Sequence, residues 1–167
     1  MNAIKHDESV FGGRKQAQAQ LAHIMELMEL EERWQDAERG DPDEGQDDSL
    51  WYDEDGNRIE DPDGDPIEDE DDVRERIEQF PLDFRVRSNW RDPFQDDADT
   101  APGEFELLLC TGGPAVRIRG ELGLHGQPEN VKLQHQDWFT PWEELPLDAE
   151  QESAVLQFCE HFTSILE

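Results

Sequence analysis

Apolar residues along this chain follow two rhythms, one of period two and one of three to four, with a long stretch between them that follows neither. The period-two rhythm is clearest in the second half. Val116, Ile118 and, past Gly120, Leu122 alternate with Arg117, Arg119 and Glu121, the mark of a strand with one buried and one wet face. Phe105, Leu107 and Leu109 alternate with Glu106, Leu108 and Cys110, apolar on both sides beyond the first residues, which predicts a central strand covered on both faces. Val131, Leu133 and His135 alternate with Lys132, Gln134 and Gln136, which predicts an exposed outer strand. These three strands are expected over 104–111, 114–123 and 130–137, joined by turns at Gly112-Gly113 and His125-Gly126. Glycine takes a positive φ cheaply, as a tight hairpin requires, and Pro114 lacks the amide a central ladder would use. A fourth strand is expected over 81–88, where Leu82, Phe84 and Val86 alternate with Asp83, Arg85 and Arg87.

The longer rhythm marks helices. Over 14–39, Ala17, Leu21, Ile24 and Met28 recur at three- and four-residue steps, with Leu27 and Trp34 slightly off axis, and Gly40 and Pro42 end the pattern. Such a helix docks on its own sheet; alternatively its Met- and Leu-rich face also pairs with a second copy, giving a homodimer. Residues 71–80 read as a short helix with Val73, Ile77 and Phe80 on one side and an acidic first turn that suits the helix dipole. A closing helix is expected over 148–166, with Asp148 as N-cap, Gln151 three residues on, and a stripe of Val155, Phe158, Cys159, Phe162 and Leu166. The sum is an α+β fold: a four-stranded antiparallel sheet packed by the N-terminal and C-terminal helices, with an acidic insertion. One domain spans 14–167, residues 1–13 form a mobile amino terminus, and the insertion covers 41–72. Within it, Leu50-Trp51-Tyr52 and Arg58-Ile59 flank Asp55-Gly56-Asn57 like a hairpin with aromatic anchors. Trp90 and Phe94 anchor the loop after the fourth strand, and Trp138, Pro141 and Trp142 form an aromatic corner over one sheet edge.

Charge changes the picture most. The 167 residues hold 44 acidic and 14 basic side chains, a formal net charge of −30. From Asp36 to Asp72 there are 19 acids and 2 bases, so more than half of the excess lies in under a quarter of the chain. Such a field repels polyanions and favours cationic partners, so direct binding to nucleic acid or an anionic membrane is not expected. No apolar run approaches the roughly 18 residues of a membrane-spanning helix, and MNAIKHDESVFGG has no apolar stretch for a secretion signal. Cys110 and Cys159 both sit among apolar residues and read as reduced, buried thiols of a cytoplasmic protein, the alternative being a disulfide between them.

Catalytic and metal chemistry find little to build on. With Gly56 at the sixth position of an EF-hand loop, Trp51 falls first and Pro62 twelfth; with Gly64 there, Ile59 falls first, so neither acid-glycine run fits. No zinc-type Cys/His spacing, serine elbow or phosphate loop is present. A nucleophilic cysteine would need an exposed thiol beside imidazole or positive charge, and neither cysteine offers that pattern. Arg85, Arg87, Arg117 and Arg119 can share one sheet face, either as an anion site or, in the plainer reading, as neutralising partners of nearby acids. No enzyme and no cofactor is expected.

The acid itself is the remaining candidate for function. Duplex DNA carries one charge per ~1.7 Å of axis. Carboxylates three or four residues apart on a helix stand about 5–6 Å apart at Cβ, near two steps of a phosphate strand. Glu26, Glu29, Glu32 and Asp36 make such a row. It continues through Asp43, Glu44, Asp47, Asp48, Asp53, Glu54, Asp55, Asp61, Asp63, Asp65, Glu68, Asp69, Glu70, Asp71 and Asp72. A scaffold of this kind can fill the cleft of a basic nucleic-acid-binding protein. The segments PLDFRVRSNW (81–90), LLLCTGGPAVRI (107–118) and QDW-TPW (136–142) resemble a group of short acidic proteins encoded by phages and plasmids. The resemblance covers roughly 70–165 and is carried by TGGPAVRI and DW-TPW; by compositional analogy it implies an anti-restriction or anti-CRISPR inhibitor in the host cytoplasm. The competing readings are an acidic chaperone or regulatory module for a basic protein, and halophilic adaptation, which would spread the acid evenly.

Overall fold

A computed structural model describes residues 12–38, 67, 70–88 and 102–166. Its elements run α1 (Gly13–Glu38), α2 (Glu70–Gln79), β1 (Asp83–Ser88), β2 (Pro102–Cys110), β3 (Ala115–Leu122), β4 (Pro128–Gln136), β5 (Glu143–Glu144) and α3 (Ala149–Thr163), closed by a 3₁₀ turn at Ser164–Leu166. The fold is α+β, as the pattern predicts. The sheet has five antiparallel strands in the order β1-β2-β3-β4-β5 rather than four. The extra strand is two residues long, too short to show any period, and it pairs Glu143 with His135 and Glu144 with Gln134.

One face of this meander is the core. Phe105, Leu107, Val116, Ile118, Val131 and Leu133 project from it and are buried against Ala17, Leu21, Ile24, Leu27 and Met28 of α1, Val73 and Ile77 of α2, and Val155, Phe158 and Cys159 of α3. Helix α1 lies across β3 and β4 and against both other helices. Leu21, Leu27 and Met28 of its Met- and Leu-rich face are thus buried within the chain, and Met25 and Leu30 are half-buried. Ile67, set between acids and prolines, is also buried at 1% exposure, so an apolar plug enters the core just before α2. Aromatic rings stitch the layer together. His23 meets Phe80 edge-on at 4.5 Å, Phe80 meets Phe158 at 5.6 Å, Phe158 meets Phe162 at 5.2 Å, and Phe162 reaches Phe84 of β1 at 6.2 Å.

Two strand expectations are corrected. β2 is covered by helices on one face only. Its apolar run arises partly from a bulge between Leu108 and Cys110: the extra residue breaks the alternation and sets Cys110 opposite Val116, on the core side. Leu108, opposite Arg117, is left half-buried on the other face. β4 is not an exposed outer strand. It lies between β3 and β5, and both α1 and α3 seat on it, burying Val131, Leu133 and His135. Lys132, Gln134 and Gln136 point the other way, whereas the polar His135 is buried with the apolar residues.

Local signals set the ends. Asp148 caps α3 with a complete capping box: its Oδ1 accepts from the Gln151 amide (3.0 Å) and Gln151 Oε1 accepts from the Asp148 amide (3.1 Å). Helix α1 starts one residue before the expected boundary. Gly13 donates its amide to Asp137 Oδ1 at 2.7 Å, so a carboxylate from the end of β4 caps the helix dipole. A side chain at Gly13 would meet the Gln136 carbonyl at 3.1 Å, which is why glycine stands where the helix touches the sheet.

Gly120 has a similar role inside β3. A Cβ there would lie 2.5 Å from the Phe105 ring, which fills the space over the glycine. Gly120→Ala should lower unfolding stability by about 1–3 kcal/mol in urea titration. Combined with Phe105→Leu it should cost less than the sum of the two single changes, since both act on one contact.

Candidate functional site

The outward side of the helical layer carries acid. Glu26, Glu29 and Glu32 are exposed on α1, opposite the buried Leu21, Ile24 and Met28. Glu29 reaches Arg33 at 3.1 Å, an exposed pair of small energetic weight. Asp36 lies in the last turns of the same helix. Glu70, Asp71 and Asp72 fall in the first turn of α2; Asp71 and Asp72 suit the positive end of the helix dipole there, and Asp71 is exposed. Asp43, Glu44, Asp47, Asp48, Asp53, Glu54, Asp55, Asp61, Asp63, Asp65, Glu68 and Asp69, like the expected hairpin around Asp55-Gly56-Asn57 and the Trp90 and Phe94 anchors, lie outside the described residues. Five exposed carboxylates join the layer without having been picked out in sequence: Glu75 and Glu78 on α2, and Glu150, Glu152 and Glu160 on α3. They are interleaved with core positions, so no charge run advertises them.

The open face of the sheet is different. Cross-strand register sets Arg85 opposite Glu106, Arg87 opposite Glu104, and Glu106 opposite Arg119. Glu104 Oε2 accepts from Arg87 Nε and from Arg119 Nη2, both at 2.8 Å, and Arg85 Nε donates to Asp83 at 2.6 Å. Arg117 is the most enclosed, with its side chain 16% exposed. It donates to Glu106 Oε2 (2.8 Å) and Gln134 Oε1 (3.0 Å) and lies 4.0 Å from the centre of the Trp142 ring. Burial pulls its pKa below the usual guanidinium value, and the adjacent Glu106 pushes back. Lys132 reaches Glu144 at 3.1 Å. The four arginines do share one face, and each is paired with a carboxylate of its own chain, as the neutralising reading has it. An incoming anion would have to displace those partners.

The aromatic corner divides. Trp142 lies on the sheet as the stacking partner of Arg117, whereas Trp138 is 66% and Phe139 99% exposed. The turn that holds them is braced: Thr140 donates its amide to the Asp137 carbonyl (3.2 Å), the Asp137 amide donates to Thr140 Oγ1 (3.1 Å), and Gln136 Nε2 donates to the Thr140 carbonyl. Sequence reading took Trp138 as packing and passed over Asp137 and Thr140, although Asp and Thr three apart are a turn signature. It also missed the His161 Nε2 contact to Glu31 Oε2 at 3.0 Å, which ties α3 to α1.

No family model, curated protein or solved structure matches this chain. Its surface is read from its own chemistry. Among the described residues, no group of three or more His, Cys, Asp or Glu side chains is placed to hold a metal ion, and no helix is long and apolar enough to cross a membrane.

Both cysteines are free thiols. Cys159 is fully buried, as expected, but Cys110 is only half-buried, because it sits at the strand end beside the Gly112-Gly113 turn. Burial is the largest effect on each and raises both above the ordinary value of 9.0, Cys159 far more strongly. A thiol kept neutral by the fold stabilises it below the unfolded value, and that contribution is lost as pH rises. Stability should therefore fall above about pH 9 in urea titrations across pH, and less steeply in Cys159→Ala than in the wild type. At pH 8 a water-soluble alkylating reagent should label Cys110 slowly and Cys159 only once the chain is unfolded, as read by mass spectrometry of the peptides.

Proposed function

We propose that this chain is an acidic interaction protein of a mobile genetic element, a DNA mimic that fills the basic cleft of a nucleic-acid-binding host defence protein of the restriction or CRISPR type. It acts by binding, not by catalysis. The observation that carries the reading is the exposed row of Glu26, Glu29 and Glu32 on a helix whose opposite face is locked in the core. Carboxylates held on a docked helix keep their spacing without the ordering cost that a loose acidic tract pays on binding. The pairing of the sheet's arginines within the chain also fits, since it leaves the excess of a −30 chain to be expressed outward. A cleft built to bind phosphates would meet charge of the right sign at comparable spacing.

The test begins with a pull-down from host lysate at low and high salt, followed by purification of each captured protein and competition with duplex DNA. Binding should weaken steeply with salt, and DNA should displace the chain. The triple change Glu26→Gln, Glu29→Gln, Glu32→Gln should reduce affinity at low salt by roughly tenfold, or about 1.4 kcal/mol, with the helix content unchanged. If DNA displaces the chain from none of the captured proteins, mimicry is wrong.

A further inference from the structure

The turn after β4 spends stability on display. Phe139 has a φ of 63°, in the left-handed region where a side chain is costly and glycine is favoured. In return its ring buries almost nothing: it is 99% exposed and meets the 66%-exposed Trp138 ring at 5.9 Å with a tilt of 36°. The turn is nonetheless rigidly built. The three bonds among Gln136, Asp137 and Thr140 close it, and the Asp137 carboxylate that caps α1 fastens it to the helical layer. Two adjacent, exposed aromatic side chains are thus presented from a braced backbone turn, which is the arrangement of a pre-organised binding anchor.

Charge decides what such a knob can enter. A second copy of this chain brings another −30, and an anionic membrane surface repels it equally, so neither offsets the approach of the turn. Of the acids flanking the rings in sequence, Asp137 is engaged with the α1 amide and Glu144 with Lys132, so the charge that selects the receiving pocket is that of the whole chain, which favours a cationic rim. Slots that take an unstacked base combine these features: apolar or aromatic walls for a flat ring and a cationic rim for the backbone. We infer that Trp138 and Phe139 enter such a slot on a cationic nucleic-acid-binding protein, with the Phe139 ring in the place of an unstacked base. This rests on the mimic reading and adds to it that the partner is one that unstacks bases or binds single strands.

The experiment uses the full chain with p-benzoylphenylalanine in place of Phe139, irradiated in host lysate with and without a short single-stranded oligothymidylate. A crosslink to a nucleic-acid-binding protein, suppressed by the oligonucleotide, is expected. Against that protein, purified, Phe139→Gly and Trp138→Ala should each lose roughly 5- to 150-fold in affinity, the range for removing one stacking partner. Phe139→Gly should at the same time melt no lower than the wild type, because glycine suits the positive φ; this separates loss of contact from loss of fold. A crosslink to a second copy, to lipid or to no protein overturns the inference, as does an affinity unchanged in Phe139→Gly or a crosslink indifferent to the oligonucleotide. If Phe139→Gly binds normally while the triple glutamate variant is weakened, the aromatic knob fails and mimicry stands. If DNA displaces nothing, both fall.

Discussion

The apolar seam between α1 and the β3–β4 half of the sheet has to hold against the charge of the rest of the chain. A net charge of −30 on 167 residues pushes every compact state apart, and the repulsion is relieved only by expansion. The seam resists because it is clean. Ala17, Leu21, Ile24, Leu27 and Met28 face Val116, Ile118, Val131 and Leu133, and the charged groups of the described residues stay outside that layer. Each large apolar side chain buried there contributes ~1.5–3 kcal/mol relative to exposure. The polar contacts at its borders include Asp137 on the first turn of α1, and His161 on Glu31 between α1 and α3.

With the seam fixed, the remaining charge separates by surface. The open sheet face pairs its cations, since residues directly opposite on antiparallel strands stand close enough for Arg and Glu to meet. Glu104 serves two arginines, and Glu106 shares Arg117 with Gln134 and the Trp142 ring. Most of the helices' described glutamates are exposed, with local pairs such as Glu29 with Arg33 and one contact between helices, Glu31 with His161. A ladder of paired cations on one side and exposed acid on the other follow from the geometry of strands and helices as much as from the residue count.

The legible parts of this fold were those in which a single period ran uninterrupted. α1, α3 with its Asp148 capping box, α2 and the Val116–Ile118 alternation all lie where the pattern puts them. The errors came where something other than the period decided. At Leu109 a bulge added a residue and made a one-sided strand look two-sided. In β4, Lys132, Gln134 and Gln136 outweighed the inward-facing Val131, Leu133 and His135, because alternation states which face is polar and not what lies on the other. β5 exists only through its pairing with β4. The acidic row on α1 was readable because helix spacing is fixed, whereas Glu75, Glu78, Glu150, Glu152 and Glu160 were not, since their common exposure comes from how three helices pack.

That difference bears on how negative charge can act. A carboxylate on a loose chain follows whatever cation approaches it and loses freedom when it settles, so its gain is discounted by the ordering it requires. A carboxylate on α1 has made that sacrifice already, in the free energy that docked the helix on the sheet. Its spacing along the axis, ~1.5 Å per residue, is then a property of the fold rather than of the complex. The same holds for the backbone of the Asp137–Thr140 turn, which is braced by its own hydrogen bonds. On the proposed reading, discrimination between a phosphate-binding cleft and an arbitrary cationic surface would rest on carboxylates whose spacing the fold fixes, and the net charge would set the rate of encounter and the sensitivity to salt.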